Sequence, residues 1–331
     1  MNHSWKKFLL DAHVSLANDN QIVFPAIGLE GKKRIYPISD LAVLTIAGND
    51  AAKFLQGQIT CNVNDIKDIK SGFGAFCTPK GRVITTFLIC KTKGVYYLVM
   101  PDELLAMVKK RLQMYVLRSD VTLTDSSQDL CLIGLWDSDK LLGASETEPV
   151  FTAVTQKDGW IRISLPKNRY LVIAEAPNAI ELWSDWVSNQ HFTPASPDDW
   201  RVFDIISGIP WLTMETSEEF IPQMLNIDKL GGISFNKGCY TGQEIVARTH
   251  YLGKSKREMF LAECITHATP QPNTLIYDDN VGEEEVVGRV LQAQNVLNIC
   301  KMLIVLQNAE TKTYNLKLKS DDRNKITVLT L

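Results

Sequence analysis

The sequence has no CxxC pair, no excess of one charge and no apolar run long enough to span a bilayer. Each absence narrows what the chain can be. Its 331 residues carry 35 Lys and Arg against 38 Asp and Glu, a net charge of -3 with the five histidines neutral. That balance excludes a globally basic nucleic-acid binder and leaves room only for a local basic patch. The longest apolar stretches, such as residues 130–136 with Gly134 inside, are strand-sized, far short of the ~20 residues a membrane helix needs. Near the N-terminus, Lys6-Lys7-Phe8-Leu9-Leu10 is cut off by Asp11, which is too short for a secretory apolar core. The expected location is the cytoplasm. Seven cysteines are spread so that no two are closer than thirteen residues. Neither a zinc knuckle nor a thioredoxin-type pair is encoded, so no metal site is expected. In a reducing compartment the thiols stay free, and Cys90 and Cys131 fit small core hydrophobes.

What is present is the composition of a globular protein, 45% hydrophobic and 22% charged, in a length that suits two or three domains. Residues 41–47 read as a strand, and Asp50 caps a short helix ending at Gln56. The runs 83–90 and 95–100, joined by Lys91-Thr92-Lys93-Gly94, carry a hairpin signal. Leu104, Leu105, Val108, Leu112 and Tyr115 stand at helical spacing after Pro101-Asp102, and 121–124 reads as a strand. A similar order recurs: a strand at 130–136, a hairpin of 160–165 and 169–175, and a helix over 179–187 with Leu182, Trp183 and Trp186 on one side. A helix over 200–207 is stopped by Gly208-Ile209-Pro210. Beyond Arg257 the runs 259–263, 274–277, 285–291, 302–306, 314–318 and 326–331 are short strands between turn residues, the pattern of a small antiparallel barrel or sandwich. The fold class is therefore α+β. A loose arm is expected over 1–20, a first α+β domain over 21–125, a second over 126–250 and a β domain over 251–331, with the first two open to interleaving.

The densest chemistry sits in Lys237-Gly238-Cys239-Tyr240-Thr241-Gly242-Gln243-Glu244. Thr241 and Glu244 stand in the S/T-x-x-E relation of a capping box, which predicts a helix with Thr241 as its N-cap. Cys239 would then lie two residues before that helix, near free backbone N–H groups and the positive end of the dipole. With Lys237 close by, these surroundings favour the thiolate. Gly238 and Gly242 permit a sharp turn and the close approach of a ligand. The same residues also read as a tight turn, a helix cap and a half-buried cysteine.

Other segments extend the pattern. They are Phe54-Leu55-Gln56-Gly57-Gln58-Ile59-Thr60-Cys61-Asn62-Val63, Pro79-Lys80-Gly81-Arg82, and Phe220-Ile221-Pro222-Gln223 followed by Asn226 and Leu230-Gly231-Gly232-Ile233-Ser234-Phe235. Together with the eight residues above, they resemble the YgfZ-type proteins within the aminomethyltransferase-like, folate-binding superfamily, from about residue 41 to 331 and most weakly in the β domain. The resemblance implies a monomeric, ring-like molecule of two α+β domains and a small β-barrel, with tetrahydrofolate in a central channel. It also implies a role in maturing or maintaining iron–sulfur enzymes, a tRNA methylthiotransferase among them, and hence in tRNA modification. Cys239 is the required residue, and Lys237, Gly238, Tyr240, Gly242, Gln243, Glu244 and Arg248 complete the signature. Strong direct contact with tRNA is not expected.

Two departures qualify the resemblance. Leu41 stands where family members often carry a folate-contacting tryptophan, whereas Trp200 matches the second such tryptophan. Without the family, Trp200 reads as a core helix residue. Thr85 and Thr86 stand where the true aminomethyltransferases carry an acidic pair, and a hydroxyl cannot act as that carboxylate near neutral pH. An accessory protein is expected rather than a conventional enzyme, with a one-carbon transferase using tetrahydrofolate as the alternative.

The remaining candidates are weaker. Arg248, His250, Lys254, Lys256 and Arg257 follow one another with no acidic residue between them. They suit a folate glutamyl tail, a phosphate backbone or a solvated linker. Lys32-Lys33-Arg34 and Lys109-Lys110-Arg111 read as solvated faces, and Asp137, Asp139, Glu146 and Glu148 as an acidic surface loop. His3 and His13 fall in the arm, and His191 and His267 near turns, none with a metal-ligand partner at helix or hairpin spacing.

Overall fold

The computed structural model describes residues 1–12, 15–16, 22–23, 33–138, 149–253, 255–266, 268–280, 285–296, 298–307, 315–318 and 325–330. The fold is mixed α and β, and the chain divides into two compact units. The first comprises Met1–Leu55, Val63–Gly72 and Leu88–Trp200; the second comprises Gln56–Asn62, Phe73–Phe87 and Arg201–Leu331. His13, Lys32, Asp139, Glu146, Glu148, Lys254 and His267, all named above, lie outside the described residues.

In the first unit a six-stranded sheet runs in the order Ala153–Thr155, Ile161–Leu165, Arg169–Glu175, Leu130–Asp137, Lys33–Ile38, Thr193–Pro194. All its pairs are antiparallel except the last. Its central strands are apolar at nearly every position because both faces are covered. One face packs Ile35, Ile133 and Val172 against Trp183 and Trp186 of the helix Ala176–Ser188. The stretch read as a loose arm holds a helix, His3–Asp11, with Asn2 accepting from the Trp5 N–H at 3.1 Å. Trp5 and Leu9, one helical turn apart, are buried in the same core. Phe8 packs against it too; the Trp5, Phe8, Leu9 spacing is helical, but nine residues are too few for the pattern to stand alone.

The same unit pairs Leu41–Ala47 with Val95–Pro101 on one side and Thr122–Asp125 on the other. Val95–Pro101 also pairs with the end of Val83–Thr92, completing the expected hairpin. The helix Asp102–Val116 buries Leu104, Leu105, Val108 and Leu112, but its inward stripe continues to Val116. Tyr115, expected on that stripe, is exposed.

Two charge assignments are corrected. Arg34 is not on a solvated face. It is buried, 3.9 Å from Asp199, with its guanidinium over the Trp136 ring. Asp137 is fully buried rather than part of a surface loop. Both sit on paired central strands, where position in the sheet decides burial and local charge density does not.

In the second unit, Phe73–Phe87 folds as a hairpin whose turn is closed by the Thr78 N–H to the Arg82 carbonyl at 2.8 Å. The C-terminal strands form a closed barrel in the order Arg257–Ile265, Ile299–Gln307, Val286–Val296, Leu275–Asp278, Leu316–Leu318, Lys325–Leu329. Ala262, Ile276, Val290, Met302, Ile304 and Leu306 fill it. Register shifts at Ile276/Tyr277 and Val290/Gln292 supply the local bends that closure of so short a sheet needs. Among the described residues no helix is long and apolar enough to cross a membrane.

Candidate functional site

The signature segment lies wholly in the second unit, and its geometry is set by ties to two distant pieces of chain. Thr60 is the first anchor. Its hydroxyl donates to the Gly232 carbonyl at 2.6 Å and accepts from the Ala75 N–H at 2.9 Å, while its carbonyl accepts from the Ser234 N–H at 2.9 Å. One buried threonine thus joins the residues leading into the signature to the hairpin. Lys237 is the second anchor. Its ammonium donates to the carbonyls of Ile59 at 2.7 Å and Cys61 at 2.9 Å and sits 4.9 Å from the centre of the Tyr240 ring. Burial lowers the Lys237 pKa to about 8, against a smaller opposing effect of Cys61. Tyr240 is buried and held far above the ordinary phenol range, first by burial.

The third anchor is a contact between two glycine turns. Gly242 has φ 83°, and a Cβ there would lie 2.5 Å from the Thr78 carbonyl oxygen and 3.0 Å from the Gly81 Cα. Gly81 has φ 70°, and its Cβ would meet Ile245 at 2.8 Å. Only glycine fits at either position, for conformation and for space. Beyond this contact the helix Gln243–Leu252 begins, and the Gln223 amide donates to its Val246 carbonyl at 2.7 Å.

The expected capping box is not formed. The N-cap is Gly242 in the left-handed region, without a side-chain cap bond. Thr241 instead gives its N–H to the Gly57 carbonyl at 3.2 Å and brings its hydroxyl within 3.3 Å of Gln58 Oε1. The left-handed glycine starts the helix one residue later than the motif suggested, so Thr241 does not occupy the N-cap and Glu244 falls in the first turn. Gln243 is half-buried, and Glu244 and Arg248 are exposed along the helix. Between the anchors, Asn236, Gly238 and Cys239 are exposed, with nothing within 4 Å of a Cβ built on Gly238. All seven cysteines are free, and Cys239 is the exposed one. Burial pushes Cys77, Cys90 and Cys131 up to about 12.

The other sequence candidates lie elsewhere. Thr85 and Thr86 are fully buried in the second unit, donating to the carbonyls of Thr86 at 3.1 Å and Pro210 at 2.5 Å. Trp200 and Leu41 belong to the first unit. Trp200 is 2% exposed, with the Arg169 guanidinium 4.6 Å from its ring centre. It lies so close to Gly134 that a Cβ there would meet the ring at 2.6 Å. Leu41 is also buried, beside a space of about 20 Å³ shared with Trp5, room for about one water. Neither position offers a free face, so a folate ring stacking on either would need that packing to open. Among the described residues no three His, Cys, Asp or Glu side chains converge as metal ligands would. Thr60 and the two carbonyls that hold Lys237 were not singled out by sequence. The only hint was that the Gln56–Asn62 segment and the signature resembled the same family.

Comparison with known proteins bears on family and fold. No protein-family model matches the chain. It is 30% identical to the tRNA-modifying protein YgfZ of Colwellia psychrerythraea over 279 residues, covering 82% of this chain and 83% of that one. To the YgfZ of Vibrio atlanticus it is 32% identical, with the same two shares covered. To that of Hamiltonella defensa it is 34% identical over 67% of this chain and 68% of the other. The chain belongs to the YgfZ family. Among solved structures, the glycine cleavage system aminomethyltransferase T from Bartonella henselae superposes with a TM-score of 0.78 at 10% identity, covering 100% of this chain and 97% of that one. At that identity the likeness shows the fold. As a YgfZ family member, the chain uses an aminomethyltransferase fold with buried threonines, not carboxylates, at positions 85 and 86.

Proposed function

We propose that this protein acts in tRNA modification as a cytoplasmic, monomeric, tetrahydrofolate-binding accessory to iron–sulfur enzymes, a tRNA methylthiotransferase among them, with Cys239 as its working thiol. The observation that carries the reading is the contrast between Cys239 and the other six cysteines. They are buried, whereas Cys239 stands exposed on a loop pinned by Lys237 and by the Gly81–Gly242 contact. A thiol kept only for packing gains nothing from exposure. A thiol that must meet a partner's reactive centre needs both access and a fixed position. Tetrahydrofolate is the ligand suggested by family and fold, and Trp200 is assigned to the wall of its site, not to an open stacking face.

A one-carbon transferase is the second reading, supported by the aminomethyltransferase fold. It is disfavoured because the hydroxyls of Thr85 and Thr86 are sealed in and engaged with backbone carbonyls. They supply neither a base nor a charge to balance a developing cation.

The test is tRNA methylthiolation in a strain lacking the protein. Rescue by wild type but not by Cys239→Ala is expected; equal rescue by both sinks the thiol role. Calorimetry with tetrahydrofolate should give saturable binding, and none at high micromolar ligand removes the cofactor. Incubation with tetrahydrofolate and an aminomethylated lipoyl carrier should yield no ammonia; sustained production would establish the transferase instead.

A further inference from the structure

The helix Gln243–Leu252 spends little of itself on the core. Val246 is its one buried residue, and its last turn leaves Tyr251 62% and Leu252 82% exposed. On that last turn the His250 ring stacks on Phe235 with centroids 3.7 Å apart and planes 13° from parallel. Tyr251 meets His250 edge-on at 4.8 Å. Because Phe235 lies against the end of the helix and Gly242 precedes its start, residues 235–242 run back along the helix. Cys239 lies in that returning segment, four residues after Phe235.

Beyond Glu244, which is exposed one turn before Arg248, the following charges are of one sign. No acidic side chain occurs from Ile245 to Arg257. Arg248 and Lys256 are exposed and make no ion pair among the described residues, and Lys254 lies outside them. Glu258, which follows the run, is paired with Lys229. His250 and Tyr251 are exposed rings beside cations without ion pairs among the described residues, with half-buried Phe235 stacked under His250. They match what unstacked bases on a phosphate backbone require: π-faces for the bases and cations for the phosphates.

We propose that Phe235, His250 and Tyr251, with Arg248 and Lys256, form a stacking surface for single-stranded RNA, placed to bring an unpaired RNA segment beside Cys239. The binding surface stands on its own geometry. Its bearing on Cys239 rests on the functional reading above. Duplex RNA hides its base faces, so the surface selects single strands. The contact is local and of modest strength, in keeping with a net charge of -3.

The test uses full-length protein and fluorescence anisotropy with a labelled oligoadenylate of about twelve nucleotides, within the span of known single-strand sites, against a duplex of equal length. The single strand should bind in clear preference. Tyr251→Ala and His250→Ala should each weaken it about tenfold, the usual loss for one stacked base. Arg248→Gln and Lys256→Gln should each lower the salt slope by roughly 0.7. Tyr251, Arg248 and Lys256 are exposed, so thermal unfolding of those three variants should not move, and a shifted midpoint in them would mark their effect as structural and overturn the proposal; His250→Ala also loses its stack on Phe235 and is read only together with Tyr251→Ala. Equal binding of the duplex also overturns it, as does indifference to both ring substitutions. So does displacement of the RNA by a polyglutamylated folate in an Arg248-dependent way, which would make the patch a glutamyl-tail site. If RNA does not bind yet Cys239-dependent rescue of methylthiolation persists, this inference falls and the functional reading stands.

Discussion

In the barrel, position is fixed by ladders. Arg257–Ile265 pairs with Ile299–Gln307 along nine consecutive partners, and alternate residues of the two strands, Ala262, Cys264, Met302, Ile304 and Leu306 among them, face one common core. In the signature loop, position is fixed by a few unlike contacts: one threonine, one ammonium on two carbonyls, and two glycines touching. The barrel spreads its stability over many similar interactions, so no single one decides its shape. The loop concentrates its geometry in contacts that have no substitute nearby. A region built the first way tolerates sequence drift. A region built the second way holds a side chain such as Cys239 in a set place without burying it.

The largest expected effect breaks the loop at its glycine contact. Gly242→Val forces a β-branched residue to φ 83° and drives its Cβ into the Thr78 carbonyl. It should cost about 3 kcal/mol or more in denaturant unfolding, or prevent folding. Gly238→Ala is the control, since nothing lies within 4 Å of its added Cβ. It should fold within about 0.5 kcal/mol of wild type. Similar losses for the two would show that the contact does not organise the loop.

Next is Lys237→Met, which keeps the stem and removes two charge-assisted bonds. A loss of about 1.5–3 kcal/mol at pH 7 is expected. The pH dependence has a definite sign. The folded-state pKa of Lys237 is lowered to about 8 from 10.5, so between those values the unfolded chain binds more protons and stability rises with pH. The margin of wild type over Lys237→Met should therefore widen from pH 8 to pH 10.5. A margin that shrinks over that window contradicts the desolvated amine.

Sequence made the barrel legible and the loop only partly so. The barrel strands all appeared because each carries its own apolar run, although 285–291 proved to be part of the longer Val286–Val296. The signature was visible as chemistry, but its capping box was misread. The rule for Thr241 and Glu244 is local, whereas Gly57, Gln58, Thr78 and Gly81 decide where the helix starts. The helix His3–Asp11 and the burial of Arg34 and Asp137 were missed for the same reason, because each depends on a sheet assembled from distant strands. Leu41 illustrates the limit from the other side. Sequence marked the departure from tryptophan, but only the packing around Trp5 shows how little space remains there.

A smaller effect tests the barrel half of the contrast. Ile304→Val removes one methylene from a fully buried position opposite Phe260 and Val290. The expected loss is about 1 kcal/mol. The rate at which iodoacetamide labels Cys239 in the native protein should stay unchanged. A barrel substitution that alters Cys239 labelling would show that loop and barrel are not separately specified.

The smallest effect is the most discriminating. If Thr241 were an N-cap, Thr241→Ala would cost about 1 kcal/mol. Here the hydroxyl reaches only Gln58 at 3.3 Å, half-buried, and the N–H that binds the Gly57 carbonyl survives in alanine. The cap position belongs to Gly242, which no change at Thr241 removes. The expected loss is below about 0.5 kcal/mol, the range of substitutions away from caps and cores. Glu244→Gln should be equally mild, because no reciprocal bond ties the two residues. Denaturant midpoints for both single variants and the double variant decide it. Additive, near-zero changes agree with a helix started by a left-handed glycine, whereas a coupling on the order of 0.5 kcal/mol or more between Thr241 and Glu244 would restore the capping box in solution.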